Sequence, residues 1–120
     1  MIEKKGFGDK LVSKVIEAIE EKKGNKIVAL NLKKIEHAVC EYFIICDAES
    51  TTQVSAIADE IEYLTREDLK EKVWRKSGYE NAQWILLDYG NVVVHVFQRE
   101  WREFYRLEEL WADAKFAYIE

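Results

Sequence analysis

The residues whose types and spacing could best support chemistry are two carboxylates, Asp47 and Glu49. A single alanine separates them in the sequence. Carboxylates two positions apart at the end of a strand can share a divalent metal ion, as phosphoryl-transfer enzymes require. The same residues could instead form a polar turn whose negative charge stabilises the N-terminus of a following helix. Because short acidic motifs of this kind often occur by chance, we favour the turn.

The two histidines and two cysteines offer little further support for catalysis. His37 and Cys40 could provide two ligands, but no second pair completes a tetrahedral zinc site. A cysteine nucleophile would need a base, and nothing places His95 beside Cys46. An extended strand would hold the Cα atoms of Cys40 and Cys46 roughly 20 Å apart, too far for a disulfide. We expect buried free thiols, as in a reducing compartment, with no metal and no cofactor.

Asp88 has two open interpretations. It could act as a base or a ligand, or it could fix the turn at Tyr89-Gly90-Asn91 by accepting a backbone N–H. Glycine-rich phosphate loops and nucleophile-elbow motifs do not occur in the chain. The sequence therefore provides no complete set of catalytic groups.

Composition favours one cytoplasmic domain. The 120 residues are 48% hydrophobic and include four tryptophans and five phenylalanines, enough for a large core. The first six residues contain no apolar segment typical of a secretory signal, and no apolar run approaches the roughly 20 residues that span a bilayer. We therefore expect a soluble intracellular protein with no membrane partner.

The net charge of −5 argues against a DNA partner. Basic residues such as Lys70, Lys72, Arg75 and Lys76 are interleaved with acids, and we interpret them as solvated surface. A mildly acidic chain suits a basic partner instead, and ribosomal proteins are one such class.

The hydrophobic pattern predicts the order α-β-β-α-β-β-β-α, which is an α/β domain with a mixed β-sheet packed by helices. Asp9 and Gly24 are expected to cap the first helix, and a capping box at Ser50–Gln53 is expected to begin the second. The predicted elements are helix 9–24, strand 26–32, strand 39–46, helix 50–70, strand 73–76, strands 84–89 and 92–97, and helix 99–111.

The pair Gly90-Asn91 lies between two β-rich runs and predicts a hairpin. Alternation places Trp84, Leu86 and Asp88 on one face of its first strand, and His95 lies with Val93 and Phe97 on one face of the second. We expect one face of the hairpin to pack on the core and the other to be exposed.

Three blocks of sequence together carry a resemblance to a known family. The blocks are Glu41–Cys46 with Ser50–Val54 and Ala56–Asp59, then Gly78-Tyr79 with Trp84–Phe97 (WILLDYGNVVVHVF), and finally Arg102–Ala114. They resemble the ribosomal silencing factor family, also called Iojap-like. They follow the family's order over most of the chain, and the fourteen residues from Trp84 are the most specific part.

The resemblance implies a nucleotidyltransferase-like α/β fold without transferase activity. It also implies binding to large-subunit ribosomal protein fourteen, a steric block to joining of the small subunit, and self-association as a homodimer. The family's contact surface involves the hairpin, so Trp84, Leu86, Asp88 and His95 are the expected partner-binding residues. The expected domain covers residues 1–114, with a short tail at 115–120.

The sequence departs from the family's pattern at three places. Glu41 replaces an aspartate, Asp47-Ala48-Glu49 replaces a turn containing glycine and threonine, and Asn91 replaces the hairpin aspartate. Two acidic residues would repel phosphate, so the second change weakens a nucleotide-binding interpretation. An asparagine at position 91 keeps the chemistry of the turn.

Overall fold

The structure is a computed structural model that describes residues 9–119. Ten elements occur within this range: α1 (Lys10–Glu21), β1 (Asn25–Asn31), β2 (Tyr42–Ala48), α2 (Thr51–Leu69), β3 (Arg75–Ser77), β4 (Trp84–Asp88), β5 (Val92–Gln98), α3 (Arg99–Tyr105), α4 (Leu107–Leu110) and β6 (Lys115–Tyr118). The strands form one sheet in the order β3-β4-β5-β2-β1-β6. β2 and β5 pair in parallel and the other pairs are antiparallel, which confirms the predicted mixed sheet.

α1 begins where the sequence predicts but ends differently. The Asp9 carboxylate accepts hydrogen bonds from the backbone N–H groups of Leu11 and Val12 and caps the helix. At the other end Lys23, not Gly24, adopts a positive φ of 60°. A Cβ at Gly24 would lie 2.4 Å from the Ile19 side chain, so the glycine is required for close packing.

β2 lies at the centre of the sheet, and all seven of its residues are buried. Apolar residues on both faces predict such a strand, because helices must cover both sides. The strand begins at Tyr42 rather than at the predicted Val39, whose side chain is 79% exposed. It also continues through Asp47 and Ala48, so these residues end a strand and do not form a turn.

The capping box of α2 is only half formed. The backbone N–H of Gln53 donates to the Ser50 hydroxyl, as predicted. The Gln53 side chain donates instead to the carbonyl oxygens of Lys22 and Lys23, at 3.3 and 3.2 Å. Gln53 therefore joins the start of α2 to the end of α1.

The C-terminal segment differs most from prediction. The expected helix 99–111 breaks at Arg106, whose φ of 50° is left-handed, and continues as the short α4. The expected tail instead contains β6, which pairs with the edge of β1, and Phe116 packs on the core. The sheet therefore extends past the expected domain boundary at residue 114 and includes residues 115–118.

Helices cover the two faces of the sheet unequally. α1 and α2 pack on one face over a large apolar cluster, whereas α3, α4 and the loop after β1 cover part of the other. On this second face the side chains of β4 remain half-buried. No helix within residues 9–119 has the length and hydrophobicity to span a membrane.

Candidate functional site

Trp84 begins β4 on the incompletely covered face of the sheet. Its indole stacks on Phe97, with the ring centroids 4.9 Å apart, and its Nε1–H donates to Nδ1 of His95 over 3.1 Å. The residue is half-buried, so part of the ring packs on the core and part faces solvent.

The prediction that His95 lies on an exposed face is wrong, because its side chain is only 3% exposed. It contacts Phe43 edge to face, at a centroid distance of 4.7 Å, beneath Trp84. Burial lowers the pKa of His95 to about 3, so the imidazole is neutral at pH 7. Nδ1 then accepts the indole N–H, and Nε2 has no hydrogen-bond partner among residues 9–119.

Leu86 and Asp88 continue the same face of β4, and both are half-buried. Leu86 lies opposite His95 in the neighbouring strand. The Asp88 carboxylate accepts the backbone N–H of Gly90 at 2.8 Å, and Gly90 has a φ of +93° that suits glycine. The turn-fixing interpretation of Asp88 is therefore confirmed.

A second glycine fixes where β4 begins. Gly78 has a φ of +92°, and a Cβ there would lie 2.0 Å from the backbone oxygen of Trp84. The backbone before β4 thus approaches the strand closely enough to exclude any side chain. This contact helps to set the position of Trp84.

Three aromatic residues of α3 extend the surface beside Trp84. Tyr105 contacts the indole at a centroid distance of 4.8 Å, and Trp101 stacks on Tyr105 at 5.9 Å. Tyr105 is 45% exposed and Phe104 is 71% exposed. We call Trp84, Leu86, Asp88, Trp101, Phe104 and Tyr105 the β4–α3 surface.

The sequence did not reveal the contribution of α3 to this surface. The spacing of Trp101, Phe104 and Tyr105 is typical of a helix stripe that faces a core. In the structure no residue of α3 is buried. The available signal was the density of large aromatics in a short segment of the chain.

Polar contacts help to anchor α3, since none of its residues is fully buried, although Trp101 packs on the core. Arg102 donates to the Asp47 carboxylate at 3.0 Å, to the Lys26 carbonyl at 2.7 Å and to the Glu108 carboxylate at 2.7 Å. The side chain of Arg102 is 11% exposed and that of Asp47 is 2% exposed. This ion pair holds the aromatic helix against the end of β2.

The same contacts argue against the metal interpretation of Asp47 and Glu49. Arg102 pairs with Asp47, and Arg99 pairs with Glu49 at 2.9 Å and lies 3.8 Å from Asp47. Arginines therefore neutralise both carboxylates, which would otherwise attract a cation. Within residues 9–119 no group of three or more candidate ligands could hold a metal ion.

The cysteines are not suited to nucleophilic chemistry. Both are free thiols, with Cys46 fully buried and Cys40 partly buried. Burial raises the pKa of Cys40 to about 11 and that of Cys46 to about 12, so both remain protonated at neutral pH. What the geometry does provide is a surface of exposed and half-buried aromatic side chains.

Comparisons with a family model, with related sequences and with solved structures are consistent with one another. The family described as "Ribosomal silencing factor during starvation" matches residues 8–120. A protein named ribosomal silencing factor from Halalkalibacterium halodurans is 43% identical over 104 residues, covering 87% of each chain. Another of that name, from Bacillus subtilis, is 42% identical over 100 residues, covering 83% of each. A crystal structure of a Chromobacterium violaceum protein superposes with a TM-score of 0.81 at 30% identity, over 92% of this chain and 90% of that one.

Proposed function

The chain belongs to the ribosomal silencing factor family, and on that premise we propose that it represses translation by binding the large ribosomal subunit. The partner on the subunit is large-subunit ribosomal protein fourteen, and the β4–α3 surface makes the contact. The bound domain occupies volume that the small subunit needs, so the two subunits cannot join. This work takes place in the cytoplasm, where ribosomes translate.

One observation supports this proposal most directly: large aromatic side chains are exposed together on one side of the molecule. Phe104 is 71% exposed and Tyr105 is 45% exposed, and Tyr105 contacts the half-buried Trp84. Contiguous apolar surface of this kind marks interaction sites, and aromatic residues supply much of the binding energy at interfaces.

The acidic side chains of the surface suit a basic partner, although the segment paired with β4 is basic. Asp88 lies at one end of it, and Glu100 and Glu103 are exposed on α3 beside the aromatic residues. The chain as a whole carries a net charge of −5. Acidic groups at the rim of an aromatic contact would speed association with a positively charged ribosomal protein.

Repression needs no bond to be made or broken. The large subunit has one available position for its partner, and the protein and the small subunit compete for it. The degree of repression therefore follows from the concentration of the protein relative to its dissociation constant. Self-association through the same aromatic surface would compete with this binding and lower the free concentration.

Removal of the indole tests the proposal. We expect Trp84→Ala to weaken binding to isolated ribosomal protein fourteen at least tenfold, or about 1.4 kcal/mol, because a central aromatic contact is lost. Isothermal titration calorimetry measures the dissociation constant directly. Phe104→Ala should also weaken binding, and its exposed side chain contributes little to the fold.

Tyr63→Ala provides the matched control, because Tyr63 is 52% exposed on α2, which covers the opposite face of the sheet. Its binding should equal that of the wild-type protein. Undiminished binding by folded Trp84→Ala and Phe104→Ala variants would remove the β4–α3 surface from the interface.

A further inference from the structure

A basic segment lies along the edge of the sheet next to the β4–α3 surface. Residues 70–77 (KEKVWRKS) contain four basic residues and one acidic residue, a net charge of +3 in a chain whose net charge is −5. Every residue of the segment except Val73 is exposed. We call residues 70–77 the basic edge.

An exposed tryptophan stands in the middle of the basic edge. The Trp74 side chain is 68% exposed, and the guanidinium of Arg75 lies 4.5 Å from its ring centroid. Tryptophan is highly buried on average, so at this position the benefit of burying its large apolar surface is lost. The indole and the cation together form a flat, positively charged platform.

Strand pairing places this platform beside the proposed docking surface. β3 is an edge strand that pairs with β4, with Arg75 opposite Asp88 and Ser77 opposite Leu86. When a ribosomal protein contacts Leu86 and Asp88, the basic edge therefore lies next to the parts of the subunit that surround that ribosomal protein. On a ribosomal subunit the surroundings of a protein are mostly RNA.

We propose that the basic edge binds ribosomal RNA next to the protein contact, with Trp74 stacking on a base and Lys72 and Arg75 meeting phosphates. This inference rests on the proposed function for the location of the RNA. Stacking of a base on an aromatic ring contributes about 1–3 kcal/mol, and lysine and arginine release counterions from phosphates.

The neighbouring charges define which cations take part. Lys76 is held by Glu62 at 3.2 Å, and its ammonium lies 5.4 Å from the Tyr79 ring, so it is already engaged. Glu71 is the acidic residue of the segment. Lys70 donates its ammonium N–H to the Glu67 carbonyl oxygen at 3.3 Å. We therefore assign the phosphate contacts to the two remaining cations, Lys72 and Arg75. A second protein as the occupant is the alternative, and an absence of RNA binding by the wild-type protein would favour it.

Direct binding to RNA provides the first test. The probe is a fluorescently labelled single strand of about twelve nucleotides, which exceeds the length needed for one stacking platform. We expect the wild-type protein to bind it at low salt, and Trp74→Ala and the double variant Lys72→Gln/Arg75→Gln to bind at least tenfold more weakly. The control is Lys34→Gln/Lys115→Gln, which removes two exposed charges away from the basic edge and should bind like the wild type.

Two further titrations locate the contact on the ribosome. Both basic-edge variants should bind the purified large subunit more weakly but bind isolated ribosomal protein fourteen with unchanged affinity. For the double variant, the dependence of log K on log salt for the subunit should be shallower by about 1.5, as expected for two lost phosphate contacts.

Three results would overturn the inference. They are absence of RNA binding by the wild-type protein at low salt, equal RNA binding by the basic-edge variants, or an equal loss of affinity for the isolated ribosomal protein. Failure of the proposed function is a different result, in which the wild-type protein binds neither the subunit nor the isolated protein. The RNA titration still decides the role of the basic edge in that case.

Discussion

At the scale of single residues, the buried His95 side chain orients the partly exposed Trp84 ring. The imidazole is buried and neutral, and its Nδ1 accepts the indole N–H over 3.1 Å. This bond fixes the orientation of a ring that is partly exposed. His95 therefore supports the β4–α3 surface from beneath and is itself buried.

The lowered pKa of His95 predicts a loss of stability in acid. The folded state resists protonation while the unfolded state accepts a proton near pH 6.5, so the free energy of unfolding falls as the pH drops below about 6.5 and continues to fall towards about 3. Between pH 7 and pH 5 we expect the protonation of His95 to lower the free energy of unfolding by about 2 kcal/mol. Urea denaturation at both pH values measures the change.

Replacement of the imidazole isolates its contribution. His95→Gln cannot take up the proton, so its free energy of unfolding should change about 2 kcal/mol less over the same interval. His37→Gln, at an exposed histidine, is the matched substitution against which His95→Gln is compared. An unaltered pH dependence in His95→Gln would contradict the assignment.

At the scale of the elements, α3 illustrates where the sequence was sufficient and where it was not. A helix from Arg99 was predictable from the spacing of its aromatic residues. The orientation of the helix was not predictable. The spacing shows that the aromatic residues share one face, but it does not show whether that face packs on the protein or is exposed to solvent. The left-handed break at Arg106 was also hidden, since no glycine marks it.

The ion pair between Arg102 and Asp47 determines where α3 lies. We expect Arg102→Met to lower the free energy of unfolding by about 3 kcal/mol, because it leaves the buried Asp47 carboxylate without its nearest cation. Binding to the ribosomal protein should weaken as well, since Phe104 and Tyr105 lose their support. Urea denaturation and calorimetry measure the two effects.

Arg106→Met is the control for this prediction. Arg106 pairs with Glu109 at 3.6 Å, and both side chains are more than two-thirds exposed, so its loss should change stability by less than about 0.5 kcal/mol. Equal stability of the Arg102 and Arg106 variants would show that the buried pair does not anchor the helix.

At the scale of the whole molecule, secondary structure was predictable where the chain has a clear hydrophobic pattern or turn signal, and it was not predictable elsewhere. The buried run of β2 and the turn at Gly90 specify the sheet centre and the hairpin through local sequence. β6 could not be predicted in this way, because its four residues form a strand only beside the open edge of β1. The exposure of Trp84 and the burial of His95 likewise depend on how far α3 and α4 extend over the sheet.

A joining assay with purified large and small ribosomal subunits tests the central claim most directly, with light scattering as the measure of association. The wild-type protein and the Tyr63→Ala control should suppress joining when added in excess over the large subunit. The double variant Phe104→Ala/Tyr105→Ala should suppress it at least tenfold less effectively at equal concentration, because the exposed part of the β4–α3 surface is removed. Full suppression by the folded double variant would contradict the claim that this surface holds the protein on the large subunit.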